Sequence, residues 1–162
     1  MTRFEQFQQN VQRWATERGI YEHSTALAQA LKAVSEVGKL CDAVIKNDRD
    51  ALIDAIGDTA VCLVNLKRMC APGPSLDRFA RVTYQFGELN NGAAVVVLQV
   101  AECLDYADPE MQAGPQIRAA LDALGALADC ADLDFDDCCE SAWQTIKSRT
   151  GRMVEGGAFV KD

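Results

Sequence analysis

The sequence predicts an all-α bundle of about six helices. Two patterns predict it. Apolar residues recur at three- and four-residue steps in every long segment, and Gly, Pro, Asn and Asp punctuate those segments at helix-length intervals. The one strand-like triplet, Val95-Val96-Val97, lies inside a longer apolar run with no partner strand in view. The 162 residues read as a single domain, 1–162, long enough to bury a core. Hydrophobic residues at 49% and charged residues at 25% place the chain among ordinary globular proteins.

Phe4, Phe7, Val11 and Trp14 mark an amphipathic first helix, which Arg18-Gly19 ends. Ser24 or Thr25 caps the second. Its apolar row is Leu27, Leu31, Val34, Cys41 and Val44 or Ile45, expected to be its buried side. Asn47-Asp48 is a turn. The third helix runs from Asp50 to Met69, with Leu52, Ile56, Leu63 and Leu66 inward, and Pro72-Gly73-Pro74 breaks it. Ser75 caps a short helix holding Leu76, Phe79, Val82 and Phe86, and Asn90-Asn91-Gly92 is a turn. A very apolar helix follows over Ala93–Ala107. Ile117, Leu121, Leu124 and Leu127 mark another. Asp134 caps the last, Phe135–Ser148, with Asp136 and Asp137 favourably placed in its first turn.

The net charge of −8 disfavours nucleic-acid binding, which depends on neutralising phosphates. Gly92–Leu104 is the most apolar stretch and is too short to span a membrane. The seven cysteines are odd in number, lack CxxC spacing and fall mostly at apolar helical positions. With no apolar run at the N-terminus, they read as free thiols in a cytoplasmic protein. His23, the single histidine, leaves no zinc-finger set and reads as a helix-entry residue.

The chemistry concentrates in Lys32–Leu66, two helices joined by a polar turn. Glu36 sits in the first. Asp54 and Asp58 sit one turn apart in the second and share a face. Gly38 offers close helix approach. Carboxylates gathered in such a groove suit a hard divalent cation with oxygen ligands. The same spacing also fits a solvated acidic face, or Asp54 and Asp58 paired with Lys39.

Four pieces carry a family resemblance: WATERG (Trp14–Gly19), EHSTALAQALKAVSEVGKL (Glu22–Leu40), DAIGD (Asp54–Asp58) and IKSRTGRMVEGGAFVKD (Ile146–Asp162). Together they resemble the MazG-like all-α nucleoside triphosphate pyrophosphatases, particularly the short phage-type members. The resemblance implies a homo-oligomer, a dimer or dimer of dimers. It also implies a Mg²⁺-dependent reaction, with Mn²⁺ as a possible substitute. Ribo- or deoxyribonucleoside triphosphates would be cleaved to monophosphate and pyrophosphate. The family's ExxE and ExxD pairs match here only at Glu36 and Asp58; Lys39 and Ala55 stand where glutamates are expected. Asp54, one residue earlier than Ala55, points about 100° away around the helix.

The resemblance thus implies Glu36, Asp54 and Asp58 as metal ligands, with Glu36, Asp58 and Lys39 at the reacting phosphates. Lys147, Arg149 and Arg152 form a basic cluster in the tail that would grip phosphate, or would simply favour a helix C-terminus. Lys32 is a further phosphate candidate. Trp14 would stack on a base by analogy with the family, although a tryptophan at helical spacing with Phe4, Phe7 and Val11 is more often a core residue, as is Trp143. The departures at Lys39 and Ala55 keep an alternative open: a non-catalytic nucleotide-binding or protein-interaction module on the same fold. Residues 70–114 lie outside the resemblance and read as an inserted helical hairpin that completes the bundle or extends an interface.

Overall fold

The computed structural model describes residues 1–70 and 84–162. These residues form seven α-helices and one short hairpin. The helices are α1 Arg3–Glu17, α2 Ile20–His23, α3 Ala26–Lys46, α4 Arg49–Cys70, α5 Leu89–Glu102, α6 Gly114–Cys130 and α7 Phe135–Ile146. A 3₁₀ turn, Cys103–Tyr106, follows α5, and the antiparallel strands β1 Gly151–Met153 and β2 Phe159–Lys161 close the chain.

Local chemistry sets the ends. Thr2 and Glu5 form a capping box on α1. Gly19, at φ +69°, makes the left-handed step into α2. Thr25 rather than Ser24 caps α3 by accepting from the Ala28 backbone N–H, and Asn47 ends that helix in the left-handed region. Asp134 caps α7.

Helix α4 is the central element. It runs antiparallel along α3 and also meets α1, α6 and α7. Seven consecutive residues, Val61 to Lys67, are buried, so α4 is enclosed on every side there. The α4–α7 contact is close because residue 57 is glycine. A Cβ there would lie 2.4 Å from the Cys138 carbonyl oxygen and 2.7 Å from the Ala142 Cβ. Helix α5 lies on α6 and α3. The expected breaker Pro72-Gly73-Pro74 and the helix from Ser75 through Val82 lie outside the described residues.

Several expectations are corrected. The row Leu27, Leu31, Val34 and Ile45 is exposed. The side of α3 facing the core is instead Ala26, Ala30, Ala33, Val37, Leu40 and Ala43. Small residues win that face because α3 and α4 pack closely along their length. Gly38 does not mediate this approach, since a Cβ there would meet nothing within 4 Å. Asn90, Asn91 and Gly92 form the first turns of α5 rather than a loop, and Phe86 is not helical. The apolar helix expected over Ala93–Ala107 thus starts at Leu89, and its end tightens into the 3₁₀ turn. The hairpin in the tail was not anticipated. Gly151 permits it, because a Cβ there would fall 2.3 Å from the Val160 carbonyl oxygen.

Candidate functional site

The site lies where α3 faces α4. The buried carboxylate of Glu36, 3% exposed, is gripped from two sides. One turn back, Lys32 Nζ donates to Oε1 at 2.5 Å. On the next turn, Lys39 Nζ lies 2.8 Å from Oε2. Both lysine side chains remain more than half exposed, so their stems climb out of the groove while their charged ends reach back to it. The spacings i,i+4 and i,i+3 place all three residues on one helix face. That pattern is readable in the sequence as KxxxExxK, and pairing Lys39 with Asp54 or Asp58 missed it.

Burial alone would raise the Glu36 carboxyl. Its hydrogen bonds to Lys32 and Lys39 outweigh that and hold it below its ordinary value. Lys32 answers in kind. Burial would lower its ammonium, and the bond to Glu36 raises it instead.

Asp58 on α4 behaves in the opposite way. Burial raises its carboxyl, the Glu36 charge adds to the rise, and Arg149 and Lys39 only partly offset it. Arg149 therefore joins the site from the tail, within electrostatic reach of Asp58. Beneath these groups, burial pushes the Cys62 thiol up to about 12. Asp54 is exposed, and Ala55, at the expected glutamate position, is buried in the core.

The metal expectation meets this donor set directly. Among the described residues no group of three or more His, Cys, Asp or Glu side chains is placed to hold a metal ion. Both oxygens of Glu36 already face ammonium groups, and Asp54 is turned to solvent. As they stand, these residues do not fit a magnesium site.

The other candidates separate. Lys147 is exposed and pairs with Gln144 on its own helical turn. Arg152 is exposed on β1. Trp14 is buried, with the Arg18 guanidinium 5.1 Å over its ring and Phe159 edge-on at 5.7 Å, so it belongs to the core rather than to an open stacking platform. Trp143 is half-buried against the core, and His23 is exposed.

One residue was missed. Arg18 donates to the Arg149 carbonyl at 2.8 Å and to the Lys147 carbonyl at 3.4 Å, tying the end of α1 to the tail that carries Arg149. No spacing rule reveals a contact across 131 positions. Beside Arg18 opens a shallow cleft of about 530 Å³, lined also by Gly19, His23, Met153, Val154 and Glu155.

Comparison with known proteins gives one informative match. The chain is similar to a phage protein. This relative is an uncharacterised 18.2 kDa protein from the rep-hol intergenic region of Haemophilus phage HP1, 38% identical over 68 residues. The match covers 42% of this chain and 42% of the relative, less than half of either. No family model matches, and no solved structure matches. Among the described residues no helix is long and apolar enough to cross a membrane.

Proposed function

We propose that the α3–α4 groove binds the polyphosphate of a nucleoside triphosphate through Lys32, Lys39 and Arg149. The observation that carries this reading is the double grip on Glu36. An ammonium has three donors; Lys32 spends one on Glu36, and Lys39 sits against the other carboxylate oxygen as an ion pair. The remaining donors are free to serve phosphate oxygens, with the lysines held in place by the buried carboxylate. Arg149 adds a third cation from the tail. Its backbone carbonyl accepts from Arg18, one of the residues lining the 530 Å³ cleft, which is within the size range of small-molecule sites and would suit the nucleoside end. In this reading the lysines supply the positive charge that a metal would otherwise bring, so binding needs no divalent ion.

A second reading is pyrophosphohydrolysis, as the MazG-like resemblance implies with Mg²⁺. The observation favouring it is that Glu36 and Asp58, the two positions matching the family's acidic pairs, influence each other across the α3–α4 contact. Water would attack the α-phosphorus. The bond to the bridging oxygen would break and pyrophosphate would leave, its charge balanced by the cations. Asp58, whose carboxyl is held above its ordinary range, is the group suited to take the proton from water. The resemblance also supports assembly as a homodimer or dimer of dimers.

One experiment separates the two readings. Binding of ribo- and deoxyribonucleoside triphosphates is measured in chelator, and pyrophosphate release is measured with Mg²⁺ or Mn²⁺. Binding in chelator without turnover supports the first reading. Metal-dependent monophosphate and pyrophosphate establish the second. Neither binding nor turnover from a folded chain removes nucleotides from consideration.

A further inference from the structure

We infer that Arg18 is a positioning residue for phosphate binding: its guanidinium fixes the backbone of Arg149 and so holds that cation ready at the α3–α4 groove. Arg18 has this role on the reading that Arg149 serves the polyphosphate.

Every nitrogen of the Arg18 guanidinium is committed. Nε donates to the Arg149 carbonyl at 2.8 Å, Nη2 reaches the Lys147 carbonyl at 3.4 Å, and Nη1 reaches the Trp14 carbonyl at 3.5 Å. The group also lies 5.1 Å over the Trp14 ring. Trp14 is itself buried, with Phe159 of β2 edge-on to it, so the surface under the guanidinium is firm. The Arg18 side chain is only 19% exposed. A guanidinium so occupied has little left to offer a ligand. Its rigid fork suits it to bracing instead.

The brace falls on one short stretch. Helix α7 ends at Ile146, and the carbonyls at a helix end need donors from outside the helix. The Arg149 backbone N–H turns back to the Ile146 carbonyl at 2.9 Å. Arg18 serves the carbonyls of Lys147 and Arg149. Both backbone groups of Arg149 are thereby fixed, two residues before β1 begins. The shorter of the two Arg18 bonds to this stretch goes to Arg149 itself, the residue whose charge acts on Asp58.

The three cations of the groove are held differently. Lys32 and Lys39 are oriented by Glu36 on their own helix. Arg149 comes from beyond the last helix, and its placement depends on what anchors that segment to α1. A loose segment would spend binding energy on its own ordering, whereas a braced one presents its charge already placed. Lysine cannot replace the brace. An ammonium keeps the charge but lacks the planar fork that serves both carbonyls while covering the indole.

Inorganic tripolyphosphate, titrated calorimetrically in chelator, is the probe. It fills a phosphate site and has no nucleoside to touch Arg18 in the cleft. Arg149→Gln is expected to weaken its binding about tenfold, the loss of one charge-assisted contact. Arg18→Gln and Arg18→Lys are each expected to weaken it by a similar factor while keeping the helical circular dichroism. Arg18→Gln combined with Arg149→Gln is expected to bind no more weakly than Arg149→Gln alone, since both act through one contact. If Arg18→Gln does not fold, Arg18→Lys decides alone. Wild-type affinity in Arg18→Lys overturns the brace, because charge without the fork then suffices. Losses that multiply in the double variant overturn it too. So does a lower melting temperature with unchanged affinity, which leaves Arg18 only a helix cap. No binding by the wild type removes the polyphosphate reading of the groove and this role with it. Wild-type binding that is indifferent to Arg18 removes the role alone.

Discussion

Lys39 Nζ lies 2.8 Å from Oε2 of the buried Glu36, while Lys32 Nζ holds Oε1 at 2.5 Å. One buried anion thus serves two cations. Removing its charge leaves two lysines repelling each other over a buried amide. Glu36→Gln is expected to lower stability by about 2 kcal/mol, discounted from a fully buried pair because both lysines are partly in water. A thermal melt checks this, with a fall of roughly 6 °C expected.

The two carboxyls at the site have opposite linkage to pH. The Glu36 carboxyl is depressed in the folded state, so its contribution is present above its unfolded value and is lost as pH falls through the folded one. The Asp58 carboxyl is raised, so the folded state binds the proton more tightly and stability declines as pH rises through that range. At neutral pH Asp58 therefore opposes folding. Asp58→Asn is expected to stabilise the chain by on the order of 1 kcal/mol at pH 7 and to abolish any hydrolysis. A melt that falls instead would show Asp58 to be a structural partner.

Lys39→Glu replaces a cation with an anion beside Glu36. Triphosphate binding in chelator is expected to weaken at least tenfold, or by about 1.4 kcal/mol. Calorimetric titration reads the change. If the variant instead gains Mg²⁺-dependent pyrophosphate release, the groove is a hydrolase site that the lysine suppresses.

Two glycines respond oppositely to one methyl group. Gly57→Ala drives a Cβ into the Cys138 carbonyl and the Ala142 side chain, and is expected to cost about 2 kcal/mol. Gly38→Ala meets nothing and removes backbone freedom from the unfolded chain. It is expected to add about 0.7 kcal/mol in dilute protein. Urea unfolding of the two variants under one set of conditions checks the sign of each.

The helices that the sequence displays most clearly are those with a strong local signal. The Thr25 cap, the Asn47 turn and the Asp134 cap lie where side-chain chemistry dictates. The facing of α3 was not legible, because that helix has two apolar sides. Hydropathy favours the one with Leu27, Leu31 and Ile45, whereas close packing against α4 selects Ala26, Ala30 and Ala33. The Lys32–Glu36–Lys39 triplet is local and could have been read from spacing alone. The Arg18 contact to the tail and the nearness of Arg149 to Asp58 are products of tertiary folding, beyond any local rule.

Cys62, Cys70, Cys103, Cys138 and Cys139 are buried, and burial raises the thiols of Cys62, Cys70, Cys103 and Cys138. While the bundle holds, these sulfurs are silent toward oxidants. Once it opens they regain ordinary acidity, and each chain presents several competent nucleophiles at once. Melting in air then becomes a one-way process, in which scrambled cross-links trap the opened chain before it can refold, and the apparent transition temperature depends on heating rate unless reductant is present.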